Sequence, residues 1–161
     1  MSGLRSARSW EQVEVTNLKS AVARTGLAYW DGLRRGRGFP ARSDLSPRGA
    51  GGLLRHLVIL AVIPDPPDYL LRIVGDEVAT AYDAPLSHKH VSEIDAVLPG
   101  ASGAVKEMLD DVCGTGRPRA CRNWLATQTT GETFNLRETV FMPLGKRAPL
   151  VDHVLVVDAP V

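Results

Sequence analysis

The sequence predicts an α+β fold: a five-stranded antiparallel sheet with short helices and one longer helix on one face, plus an N-terminal helix. Three observations carry that reading. Residues 56–63 and 69–74 are two apolar, strand-like runs joined by the rigid turn chemistry of residues 64–68. Gly75 closes the second run and permits a tight change of direction into a short helix at 76–82. Downstream, one amphipathic helix is followed by three further strand-like runs.

The chain has 161 residues, 44% apolar and 23% charged, which suits one domain large enough to bury a core. Its 19 basic and 18 acidic residues leave a net charge of +1, so no overall field favours nucleic acid or an acidic membrane surface. Neither partner is expected. The two cysteines, Cys113 and Cys121, are too few for a secreted disulfide scaffold and lack zinc-site spacing. No apolar leader core follows Arg5 and Arg8, and no stretch has the roughly 18 apolar residues of a membrane span. The expectation is a soluble cytoplasmic protein with reduced thiols.

Taken in order, residues 1–26 read as a partly helical N-terminal extension and 27–161 as the domain. Ser9-Trp10-Glu11-Gln12 fits a capping box, which predicts a helix starting near Trp10. Leu18, Ala21, Val22, Thr25, Ala28, Tyr29 and Leu33 continue one helical stripe, weakened by Gly26. With Trp10, Tyr29 and Trp30 this helix carries more apolar surface than its own domain obviously needs. It either packs over the sheet or presents a face to a second copy, and a homodimer through the N-terminal helix is the expected assembly.

The basic run Arg34-Arg35-Gly36-Arg37-Gly38, with Arg42 behind it, reads as a solvated helix end and loop in preference to an anion or nucleic-acid site. Residues 36–52 form a glycine- and proline-rich loop in which Ser46-Pro47 could open one helical turn. A phosphate loop is excluded by the missing Gly-Lys-Ser/Thr ending and the lack of a preceding strand.

The nearly all-apolar 56–63 predicts a central strand buried on both faces. In 69–74, Tyr69, Leu71 and Ile73 share one face, and Arg72 lies on the other with Leu70 and Val74. Ala84-Pro85-Leu86 ends the short helix, and Ser87-His88-Lys89-His90 is a polar link. Ala101, Val105, Met108, Leu109 and Val112 mark the longer helix, stopped by Gly114 and Gly116. Strands follow at 119–128, 133–142 and 150–157, the first two joined by a turn at 129–132.

That order, together with Tyr29-Trp30-Asp31-Gly32-Leu33-Arg34-Arg35-Gly36-Arg37, Phe39-Pro40-Ala41-Arg42-Ser43-Asp44-Leu45-Ser46-Pro47, Tyr69-Leu70-Leu71-Arg72-Ile73-Val74-Gly75 and Glu138-Thr139-Val140-Phe141-Met142-Pro143-Leu144, resembles the bacterial PAS-like family (PAS_5). That family was formerly classed as a domain of unknown function and includes a motility PAS protein. The resemblance covers roughly residues 27–157 and implies the PAS fold and a regulatory role. It supplies no catalytic residues and no ligand, so the cofactor stays unknown. The chain departs from the family after the short helix, where Tyr82-Asp83-Ala84-Pro85-Leu86-Ser87-His88-Lys89-His90 replaces a phenylalanine-glycine and an acidic-leucine-threonine-glycine turn.

Within such a fold, Arg72 and Glu138 interrupt apolar strands, and an unpaired buried charge is costly. Either could line a cavity between sheet and short helices, with Arg72 gripping an anionic ligand group, or both could stand on the open sheet face as a surface ion pair. Tyr82 and Trp124 could wall the same cavity or simply pack the core. His90 joins the candidate cavity set. With His88 it could hold a metal, but no third ligand is evident, so a solvated loop is preferred and no metal is expected. A haem site would need His90, His56 or Cys113 as axial ligand. No acid, base and nucleophile set emerges, and Cys113 sits at a helix end where the dipole raises its thiol pKa, so no enzyme is expected.

With no kinase, cyclase or DNA-binding segment after Val157, the chain reads as a stand-alone sensory domain. It would bind a small ligand or a partner protein and signal by protein–protein contact. The alternative is a ligand-free interaction module acting as a homodimer.

Overall fold

The computed structural model describes residues 10–127 and 133–161, and the side chains of all of these except 124–127 and 133–135. The expected turn at 129–132, the capping residue Ser9 and the Trp124 side chain therefore lie outside the described residues. Six strands form one antiparallel sheet in the order β1-β4-β5-β6-β2-β3. They are β1 Trp10–Val13, β2 Leu57–Pro64, β3 Pro67–Val74, β4 Arg119–Thr127, β5 Thr133–Leu144 and β6 His153–Pro160. The helices are α1 Ala21–Arg34, α2 Pro47–Ala50, α3 Asp76–Tyr82 and α4 Ala101–Thr115, with short 3-10 turns between them.

The expected α+β arrangement holds, with one strand more than predicted. The sixth is the segment expected to start a helix. Trp10–Val13 pairs along β4, Trp10 opposite Asn123 and Val13 opposite Ala120. Pairing at a sheet edge outweighs the local capping pattern, and the helix begins only at Ala21, where the Ser20 hydroxyl accepts a hydrogen bond from the Ala23 amide at 3.2 Å.

α1 packs on one face of β5 and β6. Ala23 and Trp30 are buried there, and the Trp30 indole donates to the Pro143 carbonyl at 2.8 Å. A Cβ at Gly26 would lie 2.6 Å from Val157 Cγ2, so this glycine allows close packing of helix on strand. The opposite face receives α4 through the buried Met108, Leu109 and Val112. Ser46 and Pro47 open α2 as expected, the serine hydroxyl accepting from the Gly49 amide at 3.0 Å.

Three readings need correction. The register shifts between Ile59 and Leu60, pairing Ile59 with Ile73 but Leu60 with Leu71. One extra residue, Arg72, is accommodated in β3, so Ile73 leaves the face of Tyr69 and Leu71 and is 43% exposed. The glycine at 75 has φ −62° and ψ 148°, which any residue adopts. It is needed because a Cβ there would lie 2.4 Å from the Arg55 carbonyl oxygen. The last strand starts at His153 and runs to Pro160, bringing Asp158 into the sheet, whereas Leu150 stays in an exposed loop.

Candidate functional site

α3 is anchored at its start by the Gly75 amide, which donates to the Leu57 carbonyl at 2.7 Å. It ends at Tyr82 because Asp83 turns left-handed at φ 48°. Its one fully buried side chain is Val78, so apolar packing alone holds it weakly to the sheet. Beneath it lies a polar cluster. Strand alternation puts Arg137 and Thr139 of β5 on one face, and register sets Thr139 beside Asp158 of β6 and Arg137 beside Asn123 of β4.

Arg137, 4% exposed, donates from Nε to Asp158 Oδ1 at 2.6 Å and from its two terminal nitrogens to Glu77 at 3.1 and 2.8 Å. Asp158 also accepts from the Thr139 hydroxyl at 2.7 Å and from the Tyr82 hydroxyl at 2.5 Å. The Arg137 guanidinium stands 5.6 Å from the Tyr82 ring centre, and Asn123 Nδ2 donates to the Tyr82 oxygen at 3.3 Å. His56 Nδ1 lies 3.1 Å from Glu77 at the rim. Arg137 and the Tyr82 hydroxyl therefore both tie α3 to Asp158 of β6, while Asn123 Oδ1 is buried with no partner among the described residues.

The electrostatics follow from this packing. Burial pushes the Glu77 carboxyl up, but the hydrogen bonds and charge of Arg137, with His56, outweigh it and hold the group below its ordinary 4.5. Burial, then the charge and hydrogen bond of Asp158, push the Tyr82 phenol well above 10. Burial works against the Arg137 charge, yet Glu77 and Asp158 prevail and keep it protonated. Burial followed by the Asp158 charge pushes the neighbouring Cys121 thiol up to about 12, so it is no nucleophile near neutrality. Cys113 is raised too, by burial first rather than by a helix dipole.

Of the five expected cavity residues, only Tyr82 is seen in this cluster. Glu138 is fully buried on the opposite sheet face, where it accepts from the Lys19 amide at 2.8 Å, the Ser20 amide at 2.6 Å and Arg122 Nε at 2.6 Å. It braces the start of α1. Arg72 is exposed on β3 and, among the described residues, makes no side-chain hydrogen bond. His90 is at the surface, its Nδ1 3.1 Å from Glu93. The Trp124 backbone pairs with Leu136 in the β4–β5 ladder.

Glu77, Arg137, Asp158 and Asn123 were not anticipated, and His56 was named only as a conceivable axial haem ligand. One signal pointed to them: Asp158 follows an apolar run, whereas Arg137 sits in the polar half of the β5 alternation, where a solvent-facing residue would also fall. A hollow of about 200 Å³ opens beside the cluster, lined by Arg55, Asp76, Glu77, Thr80 and Ala81. It is smaller than the roughly 300–1,000 Å³ of ordinary ligand pockets. Among the described residues no group of three or more His, Cys, Asp or Glu is placed to hold a metal ion, and no helix is long and apolar enough to cross a membrane.

Comparison with protein families finds that the PAS domain pattern matches residues 18–156 of the chain. No curated protein matches it.

Proposed function

This chain belongs to the PAS domain family, and from that premise we propose that it is a sensory or regulatory domain that signals by contact with other proteins, α3 being the element that moves. Domains of this family are generally sensory and not catalytic. One observation carries the reading: α3 is held over the sheet chiefly by polar contacts, with Arg137 shared between Glu77 and Asp158 and the Tyr82 hydroxyl donating to the same Asp158. A helix tied mainly by polar contacts, with one fully buried valine and a half-buried Tyr82, has an accessible detached state, and a partner that prefers either state shifts the balance.

Glu77, Arg137, Asp158, Thr139 and Tyr82 are bonded to one another, which favours a partner protein over a deeply bound small molecule as the signal. Tyr82 then couples helix to sheet and does not wall a ligand cavity. The two free thiols fit a site of action in the cytoplasm.

A homodimer through the N-terminal helix is a second reading. Ala21, Thr25, Ala28 and Gly32 form an exposed small-residue stripe on α1, and nothing lies within 4 Å of a Cβ at Gly32. Native mass spectrometry of the purified chain, repeated under denaturing conditions, tests both readings. The bare polypeptide mass is expected, and a mass excess that disappears on denaturation would overturn the partner-protein reading. A doubled mass that is lost in Ala28→Arg supports the homodimer, whereas a monomer at micromolar concentration rejects it.

A further inference from the structure

We propose that the end of the domain formed by loops 35–40, 116–118 and 145–150 is a docking face for an acidic protein surface, with Leu150 as its apolar anchor. The proposal rests on the reading that this domain acts through protein contact. The three loops follow α1, α4 and β5, and they converge on Phe39, which is 3% exposed. The Gly145 amide donates to the Pro40 carbonyl at 2.9 Å. A Cβ at Gly116 would lie 3.7 Å from the Phe39 ring, and one at Gly38 would lie 3.4 Å from the Ala148 methyl.

The charged residues of these loops are Arg35, Arg37, Arg117, Lys146 and Arg147, with no Asp or Glu among them. Arg37 is paired with Asp44 at 2.8 Å and folds back onto the Leu33 and Arg34 carbonyls. The other four cations are exposed and, among the described residues, make no side-chain hydrogen bond or ion pair. Three nearby carboxylates are paired with arginines, Asp31 with Arg34, Asp44 chiefly with Arg37 and Asp111 with Arg119, while Asp152, bonded to the Lys146 amide, and the exposed Asp65 of the β2–β3 turn keep their charge at this end. In a chain of net charge +1, four free cations against Asp65 and Asp152 leave this end net positive and the remainder net acidic. The field at this end is positive and directed outward.

Leu150 projects from the same surface at 73% exposure, the most exposed of the large apolar side chains among the described residues. Its loop is preformed: Arg147 and Leu150 pair across it, and the Leu150 amide donates to the Arg147 carbonyl at 2.9 Å. A rigid loop loses little entropy on docking. A protein surface with carboxylates around an apolar pocket answers both features. Duplex nucleic acid supplies phosphates but no pocket for a leucine, and one leucine buries too little to hold a domain on a bilayer.

The test immobilises the full chain and measures binding of poly-glutamate and of a glutamate–tyrosine copolymer at low salt. Both are expected to bind, the copolymer more tightly, and both to weaken with salt. Arg117→Glu, Lys146→Glu and Arg147→Glu together should weaken both at least about tenfold. Leu150→Ser should abolish the copolymer's advantage. Arg72→Glu with Lys89→Glu, on the far edge of the sheet, should change neither. Equal binding by the triple variant, equal loss in the Arg72/Lys89 variant, or tighter binding to a 20-base-pair duplex or to phosphatidylserine vesicles would each overturn the proposal. A bare native mass with no polymer binding rejects this face alone. A mass excess rejects the partner-protein reading on which it rests.

Discussion

Arg137 and Glu77 meet at 2.8 and 3.1 Å across the gap between β5 and α3, and this pair supplies the hold that apolar packing supplies elsewhere in the domain. The two partners are not equivalent. Arg137→Ala strands Asp158 as a buried anion and is expected to cost about 3–5 kcal/mol. Glu77→Gln keeps its shape at the rim and is expected to cost about 1–2 kcal/mol. Urea unfolding of both variants measures the difference, and equal costs would show that α3 is held by something else.

The acid limb of stability has a definite sign. Glu77 is held below its ordinary 4.5, and Asp68 and Asp110 below 3.8, in each case because hydrogen bonds and neighbouring charge outweigh burial. A carboxyl depressed in the folded state stabilises it above the unfolded pKa, and that contribution is lost as pH falls through the folded value. Unfolding free energy should therefore decline below about pH 4.5, and Glu77→Gln should show a shallower decline. An unchanged slope in that variant would remove Glu77 from the account.

At the alkaline end, Cys121 is raised from 9.0 to about 12 by burial and then by Asp158, and Tyr82 is raised above 10. Groups raised in the folded state stabilise it below their unfolded pKa, and that contribution disappears as pH climbs through the folded value. Stability should fall from about pH 9 upward. Alkylation of the native protein at pH 8, followed by peptide mass analysis, should label half-buried Cys113 before buried Cys121. Labelling in the reverse order would contradict this packing.

Gly75 and Gly103 should respond oppositely to alanine. A methyl group at Gly75 meets the Arg55 carbonyl at 2.4 Å, a backbone atom that cannot swing aside, so Gly75→Ala should cost about 2–4 kcal/mol. Nothing lies within 4 Å of a Cβ at Gly103 inside α4, so Gly103→Ala should stabilise by about 0.5–1 kcal/mol. Thermal unfolding of the two variants decides it. A neutral Gly75→Ala would mean that the α3 entry is slack.

Much of the frame was legible because it rests on local periodicity. The apolar run before the proline turn became β2, the stripe of Met108, Leu109 and Val112 became the buried side of α4, and Ser46-Pro47 opened α2. The candidate site was mostly not legible. Arg72 and Glu138 both interrupt apolar strands, yet one is exposed beside a register shift and the other is fully buried under the entry to α1. Nothing in the spacing distinguishes them.

The sequence by itself determined the α+β class, the grouping of strands and helices and the family, because alternation, helical spacing and turn residues act over a few neighbouring positions. Tertiary structure alone decided that Trp10–Val13 is a strand, that Ile73 and Tyr69 part company, and that Glu77, Arg137 and Asp158 form one ionic cluster. Each depends on contacts between different elements, strand with strand or helix with sheet, that local spacing does not encode. Glu77 is 60 residues from Arg137, and a charge is tolerated in the interior only once such a partner has been folded against it.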